Sequence, residues 1–126
     1  MTPTAVLAGI AGPAPAEPAV RAAFREADRR GAPVRVVAAG RAAGDDFLGD
    51  LVARWADKYP EVPSTLDVRR RIDAAVTLVA ATRGCAVAFV AAGGDAASSA
   101  VLREVLRRAH CPVHVTADAA PTALGG

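Results

Sequence analysis

The sequence predicts an α/β domain: five parallel strands in one sheet, with helices on both faces. Three observations lead there. Short apolar runs alternate with amphipathic stretches along most of the 126 residues, and no repeat or linker interrupts them. The runs are continuous in hydrophobicity, as strands covered on both faces are. Finally, Gly or Pro marks the junctions, at Gly12-Pro13, Gly31, Gly40, Pro60, Gly84 and Gly93-Gly94, where the chain must reverse.

Thr4–Ile10 (TAVLAGI) reads as the first strand, ended by Ala11-Gly12-Pro13. Glu17 and Pro18 open a helix, an acid at the positive end of its dipole and a proline in its first turn. Val20, Phe24 and Ala27 recur at helical spacing and form its buried stripe, while Arg21, Arg25 and Asp28 face outward. Arg29-Arg30-Gly31 closes it. Pro33–Ala39 is the second strand. Asp45 or Asp46 caps a second helix that runs to about Lys58, with Phe47, Leu51, Val52 and Trp55 inward. Tyr59-Pro60-Glu61-Val62-Pro63 stops it, since proline cannot continue a helix.

Ser64–Arg69 is the third strand, and its mixed polarity suits a sheet edge. Ile72–Arg83 is a third helix with Ile72, Val76 and Val79 inward. Cys85–Ala91 is the fourth strand. A fourth helix runs from Ser98 or Ser99 to Ala109 on Val101, Leu102, Val105, Leu106 and Ala109, its cap open between Asp95, Ser98 and Ser99. Cys111–Thr116 is the fifth strand. The ordered core thus spans about residues 4–116, and Ala117–Gly126 reads as a loose tail. The whole chain, 1–126, is one domain.

Composition narrows the functional classes. An apolar share of 52% excludes disorder for most of the chain, and 4% aromatics leaves no platform on which bases could stack. The net charge is only +2, with Lys58 the sole lysine. Two cysteines, Cys85 and Cys111, make no disulfide framework and read as reduced thiols, although they open neighbouring strands. The first residues lack the basic start of a signal peptide, and Arg83-Gly84 breaks the longest apolar window, Ala74–Ala92. The expectation is a cytoplasmic protein with no membrane partner.

For function, the informative stretch is Val87–Ala109, VAFVAAGGDAASSAVLREVLRRA. A buried strand, a Gly-containing turn and a helix N-terminus together are what holds anions and nucleotides in open α/β sheets. Asp95, however, puts a carboxylate where a phosphate would lie. His110, Cys111 and His114 are metal-ligand types, but Cys111 and His114 fall on opposite faces of a strand and no second ligand pair accompanies them. Arg69-Arg70-Arg71 is the densest cationic run; Arg29-Arg30 and Arg107-Arg108 end helices at the opposite edge, so no single basic stripe forms. No nucleophile elbow, no Cys–His pair at a ligand edge and no paired acids appear. The chain reads as a non-enzyme, a weak ATPase being the activity left open.

Three stretches also carry a family resemblance: VLAGIAGPAPAEPAVRAA at Val6–Ala23, WADKYPEVP at Trp55–Pro63, and VLRRAHCPVHV at Val105–Val115. In their order and spacing they resemble the universal stress protein family along nearly the whole chain. The resemblance implies a flavodoxin-like, Rossmann-like sheet of order 3-2-1-4-5 and a homodimer formed through the last strand. ATP-binding members end the first strand with Asp, where this chain has Ala11. They also carry a Gly-x2-Gly-x9-Gly-Ser/Thr loop. The nearest register here sets Ala91 and Gly94 at the first two glycines and Ser99-Ala100 at the last pair, with only Asp95–Ser98 between.

The expectation is therefore a stress-related regulatory or interaction module that has lost ATP binding and holds no cofactor. It dimerises through Val113, His114 and Val115 and acts on a protein partner not legible in the sequence; His114 near a two-fold axis would make the dimer pH-sensitive. The alternative is a sensor holding ATP with Mg through Gly12, Gly93, Gly94, Ser98 and Ser99. A third reading is a nucleic-acid binder working through its arginines.

Overall fold

A computed structural model describes residues 4–12, 14–40, 45–92 and 94–116. The elements run β1 (Ala5–Ala11), α1 (Glu17–Arg30), β2 (Val34–Ala39), α2 (Asp45–Lys58), β3 (Ser64–Arg69), α3 (Ala74–Ala81), β4 (Cys85–Ala91), α4 (Ala96–Arg108) and β5 (Val113–Val115). The five strands form one sheet in the order β3-β2-β1-β4-β5, every neighbouring pair parallel. Parallel neighbours need a crossover, and a helix supplies each one.

β1 is the axis of the sheet, and all its residues are buried. Successive side chains of a strand point to opposite faces, so β1 feeds two cores. Val6, Ala8 and Ile10 pack with Val20 and Phe24 of α1 and Leu48, Leu51 and Val52 of α2. Leu7 and Ala11 pack with Leu78 and Ala81 of α3 and Val105 of α4. Gly9 lets α3 come close: a Cβ there would stand 3.1 Å from Leu78 Cδ2. Between β1 and β4 the register shifts after Ala5↔Cys85 to Val6↔Val87, leaving Ala86 as the extra residue of a bulge. Among the described residues no helix is long and apolar enough to cross a membrane.

The fold class, strand order and helix count expected above are present, and β3 and β4 have the expected bounds. Four details differ. Phe47 is 54% exposed, and Leu48 takes the inner position beside Leu51 and Val52. The two residues lie about 100° apart on the helix, and i, i+3, i+4 from Leu48 makes the tighter apolar stripe. α3 starts at Ala74 because the Asp73 carboxylate accepts from Val76 N at 3.0 Å and caps it. Ile72 is therefore left outside the helix and 45% exposed, Val76 is 54% exposed, and Leu78 is the fully buried residue.

α4 starts at Ala96, two residues before the expected serines, and Leu106 is 50% exposed on its flank. β5 is shorter than Cys111–Thr116 and pairs over Val113–Val115. The expected cap of α2 at Asp45 or Asp46, the Gly93 position and the tail 117–126 lie outside the described residues and side chains.

Candidate functional site

The strand order reverses direction between β1 and β4, and in open parallel sheets that is where ligands sit, beyond the carboxyl ends of the strands. Ala11 and Ala91 end the two strands here. Beyond β1 the chain turns at Gly12, whose φ is 78°. Beyond β4 comes the buried Ala92, then Gly94 at φ 91°, then Asp95 in an extended conformation. The left-handed φ at Gly94 suits glycine alone among ordinary residues.

Asp95 settles the cap of α4. Its carboxylate accepts from Ser98 N at 2.8 Å, and its carbonyl accepts from Ser99 N at 3.0 Å. The backbone N–H of Ser98, with help from the Ser98 side chain, holds the Asp95 carboxyl below its ordinary range. One of the helix-start donors that an anion would seek, the Ser98 N–H, is therefore already engaged by a carboxylate. Ser98 is only 5% exposed and Ser99 half-buried, so Ser98 faces the cap rather than open solvent. Ala11, 2% exposed, sits in the core with a methyl group and no hydrogen-bonding side chain. Of the residues read as nucleotide contacts, Gly12 and Gly94 stand at the ends of adjacent strands, Ser98 and Ser99 stand in the first turn of α4, and Gly93 is outside the described residues.

The other candidates are dispersed. Arg69 reaches both carboxylate oxygens of Asp67 at 3.0 Å. With Arg70, Arg71, Val68 and Ile72 it lines an open hollow of about 360 Å³ beside β3, far across the sheet from β4. Cys85 is buried and donates through Sγ to Ala81 O at 3.2 Å. Burial pushes the Cys85 thiol up, and Cys111 is raised by burial and then by the neighbouring Cys85. Both are poor nucleophiles at neutral pH for that reason. Among the described residues no group of three His, Cys, Asp or Glu side chains could hold a metal ion.

β5 closes one end of the sheet order. Val113 is half-buried against the α4-side core, Val115 is 43% exposed, and the exposed His114 ring stacks on Phe89 with centroids 5.3 Å apart. Two features escaped the sequence reading. Thr82, fully buried, donates to Val79 O at 2.6 Å and accepts from His110 N at 3.0 Å, tying the α4–β5 turn to the end of α3. Arg83 Nε donates to His110 Nε2 at 3.3 Å. A polar residue just before Arg83-Gly84, closing a run whose only other polar side chain is Thr77, was the available signal for Thr82.

No family model matches the chain, and no curated protein matches it. Solved structures do. A universal stress protein family member from Burkholderia pseudomallei superposes with a TM-score of 0.59 at 20% identity, covering 90% of this chain and 96% of that one. A universal stress protein from Archaeoglobus fulgidus, solved in complex with dAMP, gives 0.62 at 19% identity over 93% of this chain and 100% of that one. A universal stress protein in complex with cAMP gives 0.52 at 16% identity over 92% and 100%. At such identities the likeness is one of architecture, and it extends over nearly the full length of both chains. The fold of this chain is that of the universal stress proteins.

Proposed function

We propose that this domain is a cytoplasmic, dimeric regulatory or interaction module that has lost ATP binding and is not an enzyme. One observation carries the reading: the Asp95 carboxylate, 2.8 Å from Ser98 N, occupies the helix start where a phosphate would be held. A triphosphate would have to displace that carboxylate and then meet its charge. Ala11 adds to this, since it brings no polar group to the end of β1.

A second reading, a nucleotide sensor, is favoured by the dAMP and cAMP bound in two of the similar structures. Thermal melting separates the two. With Mg-ATP, ADP, AMP, dAMP, cAMP and GTP each in large excess, the midpoint is expected to stay where it is. A ligand at a hundredfold over its Kd that binds only the folded state adds about 2.7 kcal/mol, a rise of several degrees. Such a rise with any of these nucleotides would overturn the loss of binding and make Gly94 and Ser99 the first positions to mutate.

The dimer is assigned to β5. Its outer edge is unpaired in the described sheet, and Val115 on this strand and Leu106 on α4 are exposed. Leu106 sits about 200° round α4 from Arg108, which lines the groove toward α3, so it faces the β5 side. Pairing two such edges about a two-fold axis would continue the sheet and cover both residues. Val115→Asp is expected to turn a dimer into a monomer in sedimentation at tens of micromolar. It tests the interface better than Val113, whose packing against the core would confound the result. A wild-type monomer at that concentration would remove the dimer from this reading.

A further inference from the structure

α3 ends just before β4 begins and α4 ends just before β5 begins, so both helix C-termini lie at the amino edge of the sheet, opposite the crevice at Gly12 and Gly94. Between the two helices runs a groove of about 360 Å³, lined by Val76, Val79, Ala80, Arg83, Arg108 and His110. One wall is aliphatic and the other end is cationic. Val76, 54% exposed, lines this groove and also a hollow toward β3.

The cationic end is held in place. Thr82 clamps the backbone of His110 at 3.0 Å, and His110 Nε2 accepts from Arg83 Nε at 3.3 Å. That contact leaves the terminal amino groups of Arg83 without a partner among the described residues. Arg108 lies across the groove with one amino group 3.3 Å from Glu104, whose carboxylate also takes Arg107. Glu104 is thus committed to α4's own arginines, and among the described residues Arg83 has no carboxylate partner. Cations at helix C-termini complement the dipole, which accounts for Arg107 and Arg108 in the last turn of α4. It accounts equally for the charge of Arg83, which follows the C-cap Thr82 of α3, but not for the aliphatic wall beside these cations. Two guanidinium charges outweigh the half-charges of the two helix ends, and planar guanidinium donors match carboxylate and phosphate oxygens.

We propose that this groove binds a small amphiphile whose oxyanion head, a carboxylate or a phosphate, sits among Arg83, Arg108 and His110 while its short aliphatic body lies on Val76, Val79 and Ala80. The site is separate from the nucleotide crevice and from β5, and it stands whether or not either of those readings holds.

The test is amide and imidazole NMR on the full chain, titrated separately with hexyl phosphate, hexanoate, inorganic phosphate and hexanol. Expected are shifts at Val79, Arg83 and His110, with one or both hexyl anions binding at least tenfold more tightly than inorganic phosphate and than hexanol; the tighter of the two identifies the headgroup. The double variant Arg83→Ala/Arg108→Ala, both positions exposed, should keep its melting midpoint and lose at least tenfold in affinity. Val76→Ser, which adds no charge, should lose a similar factor from the aliphatic side. The proposal is overturned if neither hexyl anion shifts these resonances. Equal binding of hexyl phosphate and inorganic phosphate, or unchanged affinity in the double variant, would overturn it equally.

Discussion

Phe24→Ala is expected to lower the stability of the domain by about 3–5 kcal/mol, the usual cost of emptying a buried phenylalanine site. Phe24 has no exposed surface, packs at the centre of the α1–α2 side of the core and stacks on Tyr59 with centroids 6.2 Å apart. Small domains hold only about 5–15 kcal/mol in total, so the loss is a large share and should drop the melting midpoint by about 10–20 °C. The control is Phe47→Ala on the neighbouring helix. With 54% of its surface in water, Phe47 should change stability by no more than about 0.5 kcal/mol. A large loss there would restore Phe47 to the inner face and contradict the packing described above.

Thr82→Val is expected to cost about 1 kcal/mol although it keeps the shape of the side chain, because it leaves the part-buried His110 N–H without its acceptor. The Thr82 hydroxyl accepts from His110 N, and it passes its own proton to Val79 O. Denaturant midpoints would give the loss, and amide exchange would locate it: His110 N–H should exchange much faster, while amides in the β1–β2 pairing change only with global stability. Unchanged protection at His110 would mean that the turn is held by something other than this hydroxyl. The same variant loosens the imidazole beside Arg83, so it links the stability of the α4–β5 turn to the groove between α3 and α4.

How much of this was legible beforehand depended on whether a segment had one apolar face or several. α1 carries a single stripe, Val20, Phe24 and Ala27, and its face was readable. α3 carries Ala74–Ala81 with no charged residue, so periodicity offers no means of choosing Leu78 over Val76; the approach allowed by Gly9 on β1 makes that choice. On α2, Phe47 and Leu48 are adjacent, and hydrophobicity alone ranks the larger one first. The start of α4 was missed for another reason. Asp95 followed by alanines is a helix start, but the serines three and four residues on are equally good caps in the abstract, and only the backbone path through Gly94 selects the aspartate. The carboxyl-edge crevice was legible as a location and Asp95 as one of three candidates to fill its helix start; the choice among the three was not, because a capping bond is a matter of geometry within one turn. The groove between α3 and α4 was not legible at all, since Arg83 and His110 meet only through the packing of two crossovers.

The central place of β1 also has a consequence for how the protein is made. Its first neighbour, β2, leaves the ribosome soon after it, and Val6 can find Val34 early. Its other neighbour, β4, arrives only after α2, β3 and α3 have been synthesised, when Val87 can pair with Val6. Until then the growing chain presents one side of Ala5–Ala11, a strand with neither a charge nor a proline, as an unpaired edge. Finished edges carry protection, as β3 does with Asp67 and Arg69; a strand destined for the middle carries none. The half-made protein is therefore stickier than the finished one, and its yield in the cell depends on how quickly the second half follows the first or on a chaperone that shields β1 meanwhile.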